Sequence, residues 1–231
     1  MRTHKLMKTM PLLVVMLTAA VTQVGCESNA MIREKGYTEY RKGDYGMAEA
    51  QFIRAAEREP DDWRAQYWLG QTRLKQENYL SAQLAFEKAL AIRGRDSEFT
   101  PKIIDGIAES LYQQGHIEKL YAFLKRVADT YGTSRDYLRQ ADYLSRAGDL
   151  DSATVAYQKA ARFADDNDES VYIAIADFYG SINDVPNATQ ALRYAHYINP
   201  HNPQVASRFR KYGIVPGPTQ AEPPPKPEML Q

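Results

Sequence analysis

The chain has 231 residues, of which 29 are basic and 29 acidic, so its formal net charge is zero. Proteins that bind nucleic acid carry a strongly basic domain or stripe, and this balance argues against that class. The one cysteine, Cys26, excludes a disulfide framework within the chain.

The first predicted element is a secretory signal peptide over residues 1–25. Three basic residues lie among the first eight, an apolar run follows over residues 11–21, and no acidic residue appears before Glu27. A basic start followed by a short apolar core is typical of export signals, and a membrane-spanning helix needs a longer run of about 20 apolar residues. Its removal would leave 26 basic residues against 29 acidic ones, a net charge of −3.

The end of this signal resembles the lipobox of bacterial lipoproteins. Val24 and Gly25 match the motif before Cys26, whereas Gln23 stands where an aliphatic residue is usual. The resemblance implies cleavage before Cys26, lipidation of this cysteine and anchoring in the cell envelope. Glu27 rather than aspartate follows, which favours the outer membrane facing the periplasm. A signal cut elsewhere is the alternative, and it would leave a soluble periplasmic or secreted protein.

An internal repeat of 34 residues follows the signal. The pattern Ala-x3-Phe-x2-Ala occurs at residues 48–55 and again at 82–89, and Gly36 and Gly70 have the same separation. Small residues at these places let two helices approach closely, the phenylalanine fills the space between them, and Pro60 ends the second helix. A period of this length predicts stacked helical hairpins. Five units are predicted, at residues 29–62, 63–96, 101–133, 134–168 and 169–202.

This pattern resembles the tetratricopeptide repeat (TPR) family over residues 29–202. The first two units match the family signature well, and the later three keep its small and apolar positions. The resemblance implies an all-α fold, a right-handed α-solenoid of about five helix-turn-helix repeats within residues 26–202. About three repeats are the minimum for a stable stack.

The end of a solenoid needs a helix with a polar outer face. Residues 203–213 are predicted to supply this capping helix, with Val205, Ala206 and Phe209 facing inward. Residues 214–231 contain three consecutive prolines and little to bury, and they predict a disordered or extended tail. Binding of this proline segment to a partner is the alternative.

The family resemblance implies a concave groove lined by the first helix of each hairpin. Carrying the family's groove positions onto this chain indicates a basic, aromatic amino-terminal half and an acidic later half, an arrangement that would orient an extended segment of a partner. Some of the tyrosines could instead pack between neighbouring repeats. The predicted groove residues are Arg33, Tyr37, Tyr40, Arg41, Arg64, Tyr67, Gln71, Lys75, Asp105, Glu109, Tyr112, Asp142 and Asp177.

Motifs for catalysis or for binding a cofactor or metal do not occur in the sequence. It has no glycine-rich phosphate loop and no serine nucleophile motif, and His4, His116, His196 and His201 lack the spacing of zinc ligands. We expect these histidines at the surface or near helix C-termini, where the helix dipole favours them. The chain is therefore predicted to be a non-enzymatic protein without a cofactor or metal.

The leading hypothesis is a membrane-anchored scaffold or adaptor. It would bind an extended peptide or helix of a protein partner in the groove and act in assembly of an envelope machine such as a pilus or secretion complex. The alternative is an accessory protein of polysaccharide export or cell-wall machinery, with the tyrosines stacking on glycan. Self-association through the end repeats is a further possibility.

Overall fold

The structure is a computed structural model that describes residues 27–93 and 99–225. Within these ranges the chain forms eleven α-helices, a short 3-10 helix at Pro218–Gln220 and no strand, which confirms the all-α fold class. The α-helices are α1 (Asn29–Lys42), α2 (Tyr45–Arg58), α3 (Trp63–Lys75), α4 (Tyr79–Arg93), α5 (Thr100–Gln113), α6 (Ile117–Tyr131), α7 (Ser134–Arg146), α8 (Leu150–Arg162), α9 (Glu169–Ser181), α10 (Val185–Ile198) and α11 (Pro203–Lys211).

Some predictions fall outside the described residues. They are the signal peptide, the lipidated Cys26 and the boundary between the second and third units near residue 96. None of the helices in the described ranges combines the length and the apolar character needed to cross a membrane.

Short turns made of glycine and aspartate join two of the hairpin helix pairs. Gly43 and Gly148 adopt left-handed backbone conformations, with φ of 83° and 84°, which cost glycine little. Asp44 and Asp149 follow them and accept a hydrogen bond from a backbone N–H in the first turn of α2 and α8, respectively. The glycine ends one helix and the aspartate begins the next, so each turn needs only a few residues.

Buried phenylalanines hold the first two hairpins together, as the repeat pattern predicts. Phe52 is fully buried, and a Cβ on Gly36 would lie 2.8 Å from its ring. Phe86 is also fully buried, and its ring lies against both Gly70 of its own hairpin and Gly106 of the next. A side chain at either glycine would displace the ring, so close helix approach depends on them.

The apolar core of the described residues consists of two large clusters and two small ones between the first and second hairpins. One large cluster includes Phe86, Ile103 and Leu124, and the other includes Leu192 and Phe209. Helix α7 joins the two clusters, because its Tyr143 belongs to the first while its Leu144 belongs to the second. The stack is therefore continuous in sequence order, with α7 as the link between its halves.

Helix α11 covers the end of the stack. Its Val205 and Phe209 are fully buried as predicted, whereas Ala206 is half-buried. Three charged side chains of α11 remain partly or fully exposed toward solvent. They are Arg208, Arg210 and Lys211.

Over residues 214–225 the tail has no regular secondary structure apart from the 3-10 helix at Pro218–Gln220, and it returns along the carboxyl-terminal hairpin. Ile214 packs against the carboxyl-terminal core cluster. His196 lies in the last turn of α10, one of the two expected locations, but it is only 5% exposed because Phe209 and the returning tail cover it. Its Nε2 lies 3.1 Å from the carbonyl oxygen of Gly217. Short apolar and backbone contacts thus link the described part of the tail to α10 and α11.

Candidate functional site

The predicted groove residues lie on the first helices of the hairpins, α1, α3, α5, α7 and α9, and we call the surface they form the first-helix face. On α1 and α3, residues three, four or seven apart share one side of a helix. Arg33, Tyr37 and Arg41 follow this spacing on α1, and Arg64, Gln71 and Lys75 follow it on α3. Helical periodicity therefore places each set on one side of its helix.

An aromatic cluster around Trp68 occupies the amino-terminal part of this face. The Trp68 ring centroid is 4.8 Å from that of Tyr37, 5.4 Å from that of Tyr40 and 5.3 Å from that of Tyr67. Tyr67 is only 9% exposed, and its hydroxyl accepts a hydrogen bond from Gln71 Nε2. Burial raises the pKa of both Tyr40 and Tyr67. Tyr67 is thus a packing residue between repeats, while Tyr37 and Tyr40 remain half-exposed.

Arg33, a predicted groove residue, has a structural contact with the next hairpin. Its Nη1 lies 2.7 Å from Asp62 Oδ2. The same carboxylate accepts a hydrogen bond from Asn29 Nδ2 and from the backbone N–H groups of Arg64 and Ala65 at the start of α3. Arg33 therefore ties α1 to the beginning of α3.

The other three basic residues predicted for the groove, Arg41, Arg64 and Lys75, are exposed. The guanidinium of Arg41 lies 5.9 Å from the Tyr37 ring centroid, and that of Arg64 lies 4.6 Å from the ring of Trp63. Arg41, Arg64 and Lys75 form no ion pair with the carboxylates of residues 27–93 and 99–225. This part of the first-helix face presents positive charge beside aromatic rings.

Two acidic residues of the later half, Asp105 and Asp177, pair with arginines one helical hairpin away. Asp105 Oδ1 lies 2.5 Å from Arg139 Nε, and the two residues are one repeat length of 34 apart. Arg208 binds both carboxylate oxygens of Asp177 through hydrogen bonds of 2.7 Å. These pairs neutralise the carboxylates, so the expected acidic half is not an open negative surface. The pairing instead joins successive first helices.

Glu109 is the centre of a similar group between α5 and α7. It accepts hydrogen bonds from Arg146 Nη1 at 3.0 Å and from the Tyr143 hydroxyl at 2.9 Å. Tyr112 lies beneath the same guanidinium, 4.0 Å from its ring centroid. Burial acts to raise the pKa of Glu109, but the hydrogen bonds from Arg146, Gln113 and Tyr143 outweigh it and the pKa is lowered. The carboxylate is therefore held in its charged form.

Asp142 is the predicted acidic residue with the weakest pairing. Its side chain is 60% exposed and lies 3.7 Å from Arg146. Desolvation, followed by the charge of Glu109, raises the pKa of Asp142 despite that arginine. Asp142 lines a depression of about 350 Å³ together with Asp105, Tyr143 and Tyr157. Burial and the nearby carboxylates of Asp142 and Asp177 raise the pKa of Tyr157 to about 12, and Arg135 and Arg139 line the same depression.

Several residues that shape this face were not among those predicted from the sequence. Trp68 was overlooked because it lies next to the groove position of Tyr67. Arg139, Tyr143 and Arg146 were overlooked although each follows a predicted residue by one repeat length, as the 34-residue separations of their bonds show. Comparing positions one repeat apart would have revealed these partners.

Metal binding has no support in the part of the chain that the structure describes. It contains no group of three histidine, cysteine, aspartate or glutamate residues arranged to hold a metal ion. The chemistry that the first-helix face offers there is recognition by charge, hydrogen bonding and aromatic contact.

Comparison with known proteins agrees with this architecture. Residues 33–97 match a family model of the tetratricopeptide repeat. A thermophilic TPR protein of Thermus thermophilus has a similar fold, with a TM-score of 0.53, 21% identity, and coverage of 80% of this chain and 98% of that one. MamA of Desulfovibrio magneticus RS-1 gives a TM-score of 0.52 at 17% identity, covering 74% of this chain and 95% of the other.

A curated relative matches part of the chain. The cytochrome c-type biogenesis protein CycH of Pseudomonas aeruginosa is 33% identical over 93 residues, which is 39% of this chain. The chain covers only 22% of that relative's length. Residues 33–97 therefore carry a tetratricopeptide repeat match, and the stacked helical hairpins of the described residues have the fold of solved TPR proteins.

Proposed function

We propose that this protein is a non-catalytic scaffold that binds an acidic segment of a partner protein on the α1–α3 part of its first-helix face. The observation that carries the proposal is the set of three exposed cations, Arg41, Arg64 and Lys75, of which Arg41 lies over the Tyr37 ring and Arg64 over the Trp63 ring. The fold itself is that of protein-binding scaffolds. No motif for a chemical reaction accompanies it in the sequence.

The charges on this face favour an acidic ligand over a basic one. In the later half, Asp105 and Asp177 are engaged by arginines of the following helices. In the amino-terminal half, Arg41, Arg64 and Lys75 have no such partners among the described residues and attract carboxylates of an incoming chain. Tyr37 and Tyr40 add half-exposed contact area with few rotatable bonds, which binding surfaces favour. An extended or helical segment with several carboxylates fits this combination.

Charge reversal tests the site. The variant Arg41→Glu/Arg64→Glu/Lys75→Glu should capture at least about tenfold less of the partner than wild type from envelope extract, because each lost ion pair at an interface costs on the order of 1 kcal/mol. Quantitative mass spectrometry of the captured proteins measures this difference. All three side chains are exposed, so the fold should persist.

The matched control reverses three exposed cations on second helices. Lys88→Glu/Lys119→Glu/Arg126→Glu makes the same change in net charge on α4 and α6. This control should capture the partner as wild type does. Equal loss in both variants would show that net charge alone drives binding, and equal capture by both would move the interface away from the first-helix face.

A lipid anchor at Cys26 is part of the proposal. Glu27 follows this cysteine directly and is fixed to the first hairpin, because its carboxylate lies 2.6 Å from Lys35 Nζ and 2.9 Å from Arg54 Nη2. A lipid on Cys26 would hold the first hairpin close to the membrane surface without an intervening linker. This arrangement supports a scaffold that collects partners at an envelope membrane.

Replacement of the cysteine tests the anchor. The variant Cys26→Ser should move from the membrane fraction to the soluble fraction with an unchanged circular dichroism spectrum, because the anchor contributes nothing to the solenoid core. Fractionation followed by immunoblotting measures the shift. A variant that stays with the membrane, under salt washes that remove peripheral proteins, would contradict the anchor.

The cellular context that we propose is the assembly of an envelope machine. The CycH relative acts, by its name, in cytochrome c biogenesis, and this process is one candidate alongside pilus and secretion assembly. The glycan alternative has less support, since Tyr67 is buried and Tyr37 and Tyr40 pack against Trp68. Rings that stack on sugar need an open face.

A further inference from the structure

The carboxyl-terminal tail runs along α10 on a surface separate from the first-helix face. The backbone N–H of Glu222 donates a hydrogen bond of 3.4 Å to the carbonyl oxygen of Arg193, and their side chains form an ion pair at 3.9 Å. With the contact between Gly217 and His196, these bonds fix the tail up to the prolines. The segment is therefore held at defined points in the register of α10.

The prolines of the tail lie beside tyrosines of α9 and α10. Residues 223–225 line a cavity of about 250 Å³ together with Tyr172, Tyr197, Asp165 and Asp166. Tyr172 also packs edge-on against Tyr194, at 5.5 Å between ring centroids. Proline-rich segments form extended helices with little entropy to lose, and aromatic-lined grooves are their usual binding surfaces. The prolines of the tail and the tyrosines that line the cavity fit this mode of binding.

The tail occupies this groove incompletely. The 250 Å³ cavity remains between its prolines and the tyrosines, so the prolines do not fill the available space. The ion pair between Arg193 and Glu222 is long, and the buried Nε of Arg193 has no hydrogen-bond partner within the described ranges. A ligand with better-placed groups would therefore gain contacts that the tail lacks.

We propose that the groove between Tyr172 and Tyr197 is a binding site for a proline-rich segment of another protein, and that the chain's own tail occupies it until that segment arrives. The carboxylates of Asp165 and Asp166 line the groove, so the preferred ligand carries a basic residue beside its prolines. The tail has this composition, because Lys226 follows Pro225 in the sequence. This inference does not depend on what binds the first-helix face.

The test uses the full chain with the change Pro223→Ala/Pro224→Ala/Pro225→Ala. A fluorescent peptide with the sequence of residues 218–231 should bind this variant with a Kd of about 100 µM, and bind wild type about tenfold more weakly. A segment tethered by a short linker has an effective concentration of about 1 mM. Competition from the tail at a Kd of about 100 µM therefore lowers the apparent affinity of wild type for the peptide about tenfold. Fluorescence anisotropy measures both affinities. The same peptide with its central prolines replaced by alanine should not bind.

A second substitution locates the site on the opened variant. Tyr197 is 52% exposed, so Tyr197→Ala should abolish peptide binding without unfolding the chain. Tyr79→Ala, at the start of α4 on another hairpin, is the matched control and should leave binding unchanged. Any of three results would overturn the proposal: no binding by the opened variant at about 1 mM peptide, equal binding by the variant and wild type, or a wild-type dimer that becomes monomeric when the prolines are replaced.

Discussion

Phe86→Ala is expected to lower the free energy of unfolding by about 4 kcal/mol, the range found for buried phenylalanines that leave a cavity. Phe86 of α4 is fully buried, and its ring lies against Gly70 of α3 and Gly106 of α5. Solenoids gain stability from contacts between neighbouring units. We therefore expect the first two hairpins to unfold at lower denaturant concentration than the rest, measured by urea titration with circular dichroism.

Phe163→Ala is the matched control for this prediction. Phe163 is 50% exposed and stacks on Tyr137 with 5.2 Å between ring centroids. Its loss should cost about 1 kcal/mol or less, the usual value of an aromatic pair at the surface. Similar unfolding midpoints for the two variants would show that the buried ring of Phe86 does not hold the helices of the amino-terminal half together.

Arg139→Met is expected to lower the free energy of unfolding by about 3 kcal/mol, since removal of one partner leaves a buried charge without compensation. The Arg139 side chain is 4% exposed and contacts Asp105 at 2.5 Å and Asp136 at 2.8 Å. Methionine keeps much of the side-chain volume, so the loss reports the charge rather than a cavity. Because α7 joins the two core clusters, thermal unfolding should also become less cooperative.

Two comparisons separate this effect from general destabilisation. Lys125→Met removes the exposed pair with Asp129, whose side chains are 71% and 62% exposed, and should change stability by less than about 0.5 kcal/mol. Adding Asp136→Asn to Arg139→Met should recover part of the loss, because the buried carboxylate would no longer be charged. A double variant with a lower free energy of unfolding than Arg139→Met alone would argue against an uncompensated charge as the cause.

The fold could be predicted from local spacing because its determinants recur within each unit. Phe52 and Phe86 lie 34 residues apart and meet glycines at the same separation. A helical hairpin packs through residues close in sequence, so the pattern of small and aromatic positions is enough to define it. Gly106 shows the limit of this approach, because it meets Phe86 from the next hairpin and has no equivalent in the pattern that we used.

The candidate site was predictable only in part. The family resemblance grouped Arg41, Arg64 and Lys75 on the first helices, and all three side chains are exposed. It could not separate them from Arg33, which is engaged by Asp62, because that contact depends on how two hairpins are rotated relative to each other. The sequence likewise left open whether Tyr67 lines the groove or packs between repeats, and the structure shows that it is buried.

The sequence alone determined the all-helical repeat and the aromatic residues that hold its first hairpins, since these follow from spacing within one unit. The tertiary structure decided which charges remain available and where the tail lies. Asp105 and Glu109 are neutralised by arginines of the next hairpin, and the tail is ordered by contacts with His196 and Arg193. These outcomes depend on distances between separate units, and such distances are set only when the hairpins stack.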